Sequence, residues 1–186
     1  MRKKFLIFSL CAIGAATLAL TGCGSCGKGN INKFSKKMIA SADSAVVVDA
    51  QVTLEDEGVT VYTFKRHIEV DLETRTASVA DTKITLSDNF EEATSSTTVP
   101  AENVTGETLI GLNLKKKLMS DYAIVDGDLT ATIAADKISE VLSREVSATS
   151  DMTLKIDFED GNLVYAEYSY VNSSSRTVNV TVTYGY

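Results

Sequence analysis

The sequence has 186 residues, with 25 acidic and 18 basic side chains and a formal net charge of −7. An acidic chain of this kind is a poor partner for nucleic acid, because the phosphate backbone selects basic surfaces. The length fits one domain that is large enough to bury a core of its own.

The first 22 residues predict an export signal. Three basic residues at positions 2–4 precede an uncharged apolar run that ends near Leu20. This is the order of a signal peptide, and the run is short for a membrane span. The run closes with the motif LTGC at positions 20–23, which resembles the bacterial lipobox. The resemblance implies that Cys23 is diacylated and becomes the new N-terminus.

The lipobox predicts a location at the cell membrane, lipid-anchored on the extracytoplasmic face. Two acyl chains on Cys23 give stable anchoring, where one chain would be marginal. The alternative is an ordinary secretory peptide with a cysteine at its boundary. Loss of residues 1–22 removes three positive charges and moves the net charge from −7 to about −10. Cys11 leaves with the signal, so Cys26 remains as a spare thiol and no internal disulfide can form.

Residues 23–31 are predicted to be a lipidated flexible tether, because Gly24 to Asn30 are glycine-rich and polar. Residues 32–186 are predicted to form a single α+β domain. Apolar residues at helical spacing from Asn32 to about Ser44 indicate a helix at its start.

Apolar and polar residues then alternate with the period of a β-strand. Strands are predicted from Val46 to Leu54, over 62–72 and over 76–86, with a turn at 55–58. Such clean alternation is typical of an antiparallel sheet with one buried face and one wet face.

The middle of the chain has a weaker pattern. Residues 87–106 carry no usable period, and we interpret them as a long loop or an irregular edge segment. A strand is predicted over 108–112. The spacing of Leu114, Leu118 and Tyr122 then suggests a short helix.

The last sixty residues alternate most clearly. A strand is predicted over 129–133, and Asp136 is a good N-cap for a short helix that reaches Leu142. Three strands separated by turns at 160–162 and 173–175 complete a meander that ends at Tyr184. The fold class is therefore α+β.

The segment DLTATIAADKISEVLS at 128–143, followed by the meander, is similar in element order to the LppX/LprG lipoproteins and, more distantly, to LolA-type carriers. The resemblance covers most of the mature chain without a diagnostic motif. It implies a strongly curved antiparallel sheet, a half-barrel, whose concave face is covered by short helices. Members of these families carry lipids or acylated glycolipids.

A half-barrel of this kind can leave a cavity that accepts hydrophobic ligands. The residues predicted to line it are Tyr62, Phe64, Ile68, Val70, Phe158, Tyr168, Tyr170, Val180 and Tyr184. The alternative is that the same side chains simply fill a core.

Motifs for other chemistry are missing from the sequence. His67 is the only histidine, and its position in the alternation predicts a wet face. A serine nucleophile needs a base, and no second histidine is present; a Ser/Lys pair stays open, but no spacing favours one. Zinc lacks ligands in the mature chain. The turns at 126–128 and 160–162 do not continue into an EF-hand, and no phosphate-binding loop follows a strand. We expect a protein without catalytic residues, metal or cofactor.

Two functions remain open. The leading hypothesis is a non-enzymatic lipoprotein that binds or carries a lipid or acylated molecule between sheet and helices. The alternative is an envelope module with a filled core that engages a protein or glycan through strand edges or the 87–106 segment.

Overall fold

The structure is a computed structural model, and it describes residues 29–71, 73–74, 76–86 and 90–186. The predicted signal peptide, Cys23, Cys26 and most of the predicted tether lie outside the described residues.

The described chain contains three α-helices and nine strands. The helices are α1 (Ile31–Ala42), α2 (Gly106–Ile110) and α3 (Ile138–Val141). The strands are β1 (Val47–Asp56), β2 (Val59–Asp71), β3 (Thr76–Leu86), β4 (Phe90–Pro100), β5 (Asp121–Val125), β6 (Asp128–Ile133), β7 (Met152–Glu159), β8 (Asn162–Val171) and β9 (Thr177–Gly185).

The strands form one open antiparallel sheet in the order β4-β3-β2-β1-β9-β8-β7-β6-β5. Consecutive strands are neighbours in the sheet, except that β4 and β5 lie at its opposite edges and β9 returns to pair with β1. The sheet therefore consists of two meanders, β1 to β4 and β5 to β9, joined at a single strand pair. The predicted α+β class is confirmed, with the sheet as its dominant part.

The alternation seen in the sequence separates two faces of the sheet. The apolar face carries Val48, Ile68 and Ile156, and the polar face carries Asp49 and His67. Register is continuous from strand to strand, apart from bulges in the β1–β2 and β7–β8 pairs.

Helix α1 packs its apolar side against the C-terminal half of the sheet. Phe34, Met38 and Ala42 are buried in the core, and the rings of Phe34 and Phe158 meet edge to face with centroids 5.5 Å apart. Burial of each such large side chain contributes about 1.5–3 kcal/mol. The core therefore lies between α1, the 110–119 and 138–148 segments, and strands β6 to β9.

Ser41 ties α1 to two strands. Its hydroxyl accepts a hydrogen bond of 2.8 Å from the buried backbone N–H of Leu163 and lies 2.7 Å from the hydroxyl of Tyr186. Tyr186 in turn donates to the Leu163 carbonyl at 2.9 Å. The first backbone groups of β8 are thus satisfied from outside the sheet.

Helix α2 approaches α1 closely through Gly106. A Cβ at this position would lie 2.2 Å from the carbonyl oxygen of Ile39, so only glycine fits. The Gly106 N–H donates to the Asp43 carboxylate. Thr105 caps the helix in a capping box with Thr108, which satisfies free N–H groups at its start.

Two predictions for the middle of the chain need correction. The 87–106 segment, predicted to be a long loop or an irregular edge segment, does lie at a sheet edge, but it contains a regular strand, β4, that pairs with β3 along its full length. The predicted strand at 108–112 is the helix α2, which Thr105 starts and the left-handed Gly111 ends.

The short helix predicted to reach Leu142 is confirmed as α3, but its predicted N-cap and another short helix prediction need correction. Leu114, Leu118 and Tyr122 are all buried, but Leu118 ends a 3₁₀ turn and Tyr122 lies on β5. The apolar spacing therefore correctly indicated buried residues, but these residues do not form a helix. Asp136 is inside a 3₁₀ turn whose first free N–H, at Ala135, is accepted by Asp151 at 3.1 Å.

Candidate functional site

The residues predicted to line a cavity share the apolar face. Cross-strand pairs place Tyr184 beside Val48 and Val48 beside Ile68. Tyr168, Val180 and Phe64 belong to another row of pairs, which the row of Ala50 separates from the first. Tyr170 and Tyr62 belong to the row after that. Alternation alone correctly predicted this shared face.

Burial divides the predicted residues into two groups. Tyr170, Val180 and Tyr184 are buried in the core with exposures of 5–7%. The half-buried ones are Tyr62, Phe64, Ile68, Val70, Phe158 and Tyr168. Phe158 is closed off by α1, because the Lys37 ammonium sits 3.8 Å from its ring centroid.

One row of cross-strand pairs runs outward from the core along the apolar face. It begins at buried Leu154 and continues through the pairs Tyr168–Val180, Val180–Val52 and Val52–Phe64 to Lys83. Val52 and Phe64 are half-buried and Lys83 is exposed. The apolar face thus passes gradually from a packed core on β7 to β9 to a partly open surface on β1 to β3.

An ion pair interrupts the open part of the apolar face. The Arg66 guanidinium donates two hydrogen bonds of 2.8 Å to the Asp81 carboxylate, and it lies 5.5 Å from the centroid of Phe64. The hydrogen bond to Asp81 raises the pKa of Arg66, and the same bond lowers the pKa of Asp81. This pair was not predicted from the sequence. Arg66 nevertheless lies on the same face of β2 as Phe64 and Ile68, because the three residues alternate along the strand.

The hydroxyl of Tyr184 is buried and makes no hydrogen bond to any other described residue. Burial raises the pKa of Tyr184. A buried hydroxyl without a partner costs the desolvation of a polar group. Its phenol ring lies on the apolar face beside Val48, so the orphan group belongs to the same surface as the predicted cavity residues.

The polar face carries grooves that sequence analysis did not predict. A groove of about 800 Å³ crosses β5 to β9 and is lined largely by hydroxyl, amide and charged side chains, among them Thr132, Lys155 and Asn179. A second groove of about 440 Å³ lies over β1 to β3, and the two meet at Thr181. The two grooves offer hydrogen-bonding groups together with apolar surface.

Two pairs of side chains on the polar face are joined by hydrogen bonds. Lys155 lies 2.5 Å from the Asp157 carboxylate, and this bond raises the pKa of Lys155. Tyr165 donates to Glu167 at 2.7 Å, and burial followed by this bond raises the pKa of Tyr165 to about 12. These contacts hold the side chains in place along the groove.

His67 lies on the polar face, as the alternation predicted, and its side chain is 44% exposed. Its Nδ1 is 2.6 Å from the Asp49 carboxylate and its Nε2 is 3.2 Å from Glu69. The bond to Asp49, and then the one to Glu69, raises the pKa of His67. A carboxylate therefore lies beside each ring nitrogen, and both contacts favour the protonated imidazole.

The described residues contain no group of three or more His, Cys, Asp or Glu side chains arranged to hold a metal ion. The two carboxylates beside His67 lie at opposite ring nitrogens, so they cannot join one imidazole nitrogen around a common ion. Within the same residues, no helix is long and apolar enough to span a membrane.

Comparisons with known proteins give no family for the chain. No protein-family profile matches it, and no curated protein does so either. Among solved structures it is similar to a bifunctional dehydratase-cyclase domain from ambruticin biosynthesis, at 11% identity and a TM-score of 0.22 over 81% of this chain and 80% of that one.

It is also similar to the dehydratase domain from the terminal module of the rifamycin polyketide synthase, at 10% identity and a TM-score of 0.22 over 82% of this chain and 80% of that one. Likenesses at this TM-score carry no argument about fold or function. The interpretation therefore rests on the residues themselves.

Proposed function

We propose that this protein is a membrane-anchored, non-enzymatic lipoprotein of the extracytoplasmic face that binds a hydrophobic ligand on the open part of its apolar face. The ligand is a lipid or another acylated molecule. It lies across β1 to β3, where the face is lined by Val52, Tyr62, Phe64, Ile68 and Val70.

The observation that carries the proposal is the outward row of apolar pairs. A packed core ends where its last side chains meet water, but here half-buried Tyr168, Val52 and Phe64 lie beside buried Val180 in one row. Covering such side chains with an acyl chain contributes about 0.8 kcal/mol for each methylene removed from water. The same row ends at Lys83, whose charge favours a ligand with an anionic head.

The proposal includes the architecture that the lipoprotein resemblance implies. On that basis the sheet is a half-barrel, strongly curved around its apolar face, with the short helices on the concave side. The contacts of Phe34 with Phe158 and of Ser41 with Leu163 support this placement for α1. The ligand then occupies the part of the concave side that α1 leaves open.

Binding is tested with the full-length protein in detergent and a fluorescent fatty acid as the probe. We expect saturable binding that Phe64→Asp weakens at least tenfold, because a carboxylate replaces the ring on the apolar row. Phe90→Asp is the matched control, since Phe90 is 64% exposed and lies on the polar face. Equal affinities for the two variants, together with no co-purified lipid in native mass spectrometry, would sink the ligand proposal.

The anchor is tested separately by metabolic labelling with a palmitate analogue. Cys23→Ala should abolish incorporation and release the protein from the membrane fraction, whereas Cys26→Ala should retain both. Labelling that survives Cys23→Ala would show that the lipobox assignment is wrong.

A further inference from the structure

One edge of the sheet is a long strand, β4, whose outer side pairs with no other described strand. All 11 residues of β4 pair in register with β3, and every one of them except Val99 is exposed. The N–H and C=O groups on the far side of an edge strand are a template for another strand. The opposite edge, β5, has only 5 residues.

β4 lacks the features that usually protect an edge. It is long, its pairing with β3 contains no bulge, and Ala93 to Val99 carry no charge. Proline occurs only at its last position, Pro100, and charge only at Glu91 and Glu92 near its start. Natural sheets block exposed edges with short strands, lysines, internal prolines or bulges.

We propose that β4 pairs antiparallel with β4 of a second copy, so that two sheets join edge to edge into one continuous sheet. This inference is independent of the hydrophobic ligand proposed above. A two-fold axis through Ser95 relates the copies, and the interaction surface is the strand Phe90–Pro100 itself.

The register follows from the alternation of side chains. A two-fold axis perpendicular to the sheet places the polar face of one copy beside the polar face of the other, so opposed residues share a face. Pairing that uses the whole strand is then centred on Ser95, which faces Ser95 of the second copy. Ala93 faces Thr97, and Thr94 faces Ser96.

The charges and apolar groups of β4 are self-complementary in this register. Glu91 opposes Val99 and Glu92 opposes Thr98, so no like charges face each other. Phe90, which is 64% exposed in the single chain, opposes Pro100 on the same face. The two-fold axis makes this apolar contact twice, once at each end of the pair.

The backbone of such a pair supplies most of its affinity. Two strands of this length exchange about ten hydrogen bonds, which is the number that a specific interface commonly carries. The uncharged hydroxyls from Thr94 to Thr98 keep the side chains small and polar beside them, so neither copy presents a bulky group that blocks approach.

Disulfide trapping in intact cells tests the register. A Ser95→Cys variant places two sulfurs at the axis, within the Cα separation of about 4.4–6.8 Å that a disulfide spans. Oxidation with copper phenanthroline should convert most of the protein to a crosslinked dimer, with the S95C-to-S95C peptide identified by mass spectrometry. That identification separates the product from any disulfide through the native cysteines.

Ala93→Cys is the matched control, because its two copies lie about 13 Å apart along the strands. It should not crosslink alone but should crosslink when co-expressed with Thr97→Cys. Absence of the S95C-to-S95C peptide, or equal crosslinking of A93C alone, would overturn the proposal.

Mass measurement in solution provides a second test. Light scattering of the full-length protein in detergent, corrected for the bound detergent, should give twice the mass of one chain. Ser95→Lys places two ammonium groups face to face and should halve that mass, whereas Ser174→Lys, in the exposed turn between β8 and β9, should leave it unchanged. A single-chain mass for the unaltered protein would contradict the pairing of two copies. This holds even if β4 pairs with a strand of a different protein.

Discussion

The imidazole of His67 on β2 and the carboxylate of Asp49 on β1 are opposed across the sheet, with 2.6 Å between Nδ1 and Oδ1. Glu69 closes the other ring nitrogen at 3.2 Å. The imidazole between these two carboxylates lies in the 440 Å³ groove of the polar face, and His67 is the only histidine in the sequence. Its titration can therefore be followed without assignment ambiguity.

We expect the pKa of His67 to lie above its ordinary value of 6.5, because both carboxylates favour the protonated ring. Asp49→Asn should lower this pKa more than Glu69→Gln does, since the bond to Asp49 is the larger cause. The measurement is the shift of the imidazole C2 proton with pH by NMR. An unaltered titration in Asp49→Asn would contradict the contact.

The raised pKa also fixes how stability depends on pH. Protonated His67 stabilises the folded state fully below about pH 6.5, and the contribution is lost as the pH rises through the folded pKa. The gap in melting temperature between the unaltered protein and His67→Gln should therefore be wider at about pH 5 than at about pH 8. A gap that widens with rising pH would reverse the sign of this linkage.

The two tyrosines near the chain end should respond differently to loss of their hydroxyls. Tyr186→Phe removes partners of Ser41 and Leu163 and should cost about 1–3 kcal/mol. Tyr184→Phe removes a buried hydroxyl without a partner among the described residues, so it should be neutral or stabilising. Urea unfolding followed by circular dichroism compares the two, and equal losses would contradict the hydrogen-bond pattern.

Two leucines, one on each meander, should differ in how much they contribute to stability. Leu129 is fully buried and Leu86 is 43% exposed. Leu129→Ala should lower the free energy of unfolding by about 2–5 kcal/mol, whereas Leu86→Ala should change it by no more than about 0.5 kcal/mol. Denaturant midpoints at constant m-value measure both changes. A small effect at Leu129 would mean that the centre of the core is elsewhere.

The contact between α1 and α2 should tolerate no side chain at its closest point. Gly106→Ala forces a methyl group into the Ile39 carbonyl and should cost about 3 kcal/mol, the upper end of overpacking effects. Gly161→Ala is the control, because its Cβ would meet open space and only its φ of +87° is strained, at about 1 kcal/mol. Thermal unfolding ranks the variants, and an equal loss would argue against the close approach.

Alternation predicted most of the strands because each of them has one wetter face. The strands from Val47 to Leu86 and the final meander were found where polar and apolar residues exchange. β4 was not predicted as a strand because both of its faces are exposed. Its sequence therefore has no alternation of apolar and polar residues. Its strand character comes from pairing with β3, a contact that a local pattern cannot contain.

The sequence predicted which face of the sheet carries the candidate site residues, but not how far each of them is exposed. Parity placed Phe64 and Tyr184 on the same side of the sheet, and the structure confirms this. Burial of Tyr184 and partial exposure of Phe64 depend on where α1 and the 138–148 segment pack. Those are contacts between residues far apart in sequence, and sequence spacing holds no information about them.

The single pair between β1 and β9 has a consequence for the order of folding. Most strands within each meander are joined by short connections, so they can associate soon after they meet; the exception is the link between β6 and β7, over residues 134–151. Joining the meanders requires Val48 to find Tyr184, and closing so long a stretch of chain carries the largest entropy cost in the sheet. We expect this docking to be the slow step, with two half-sheets formed before the whole.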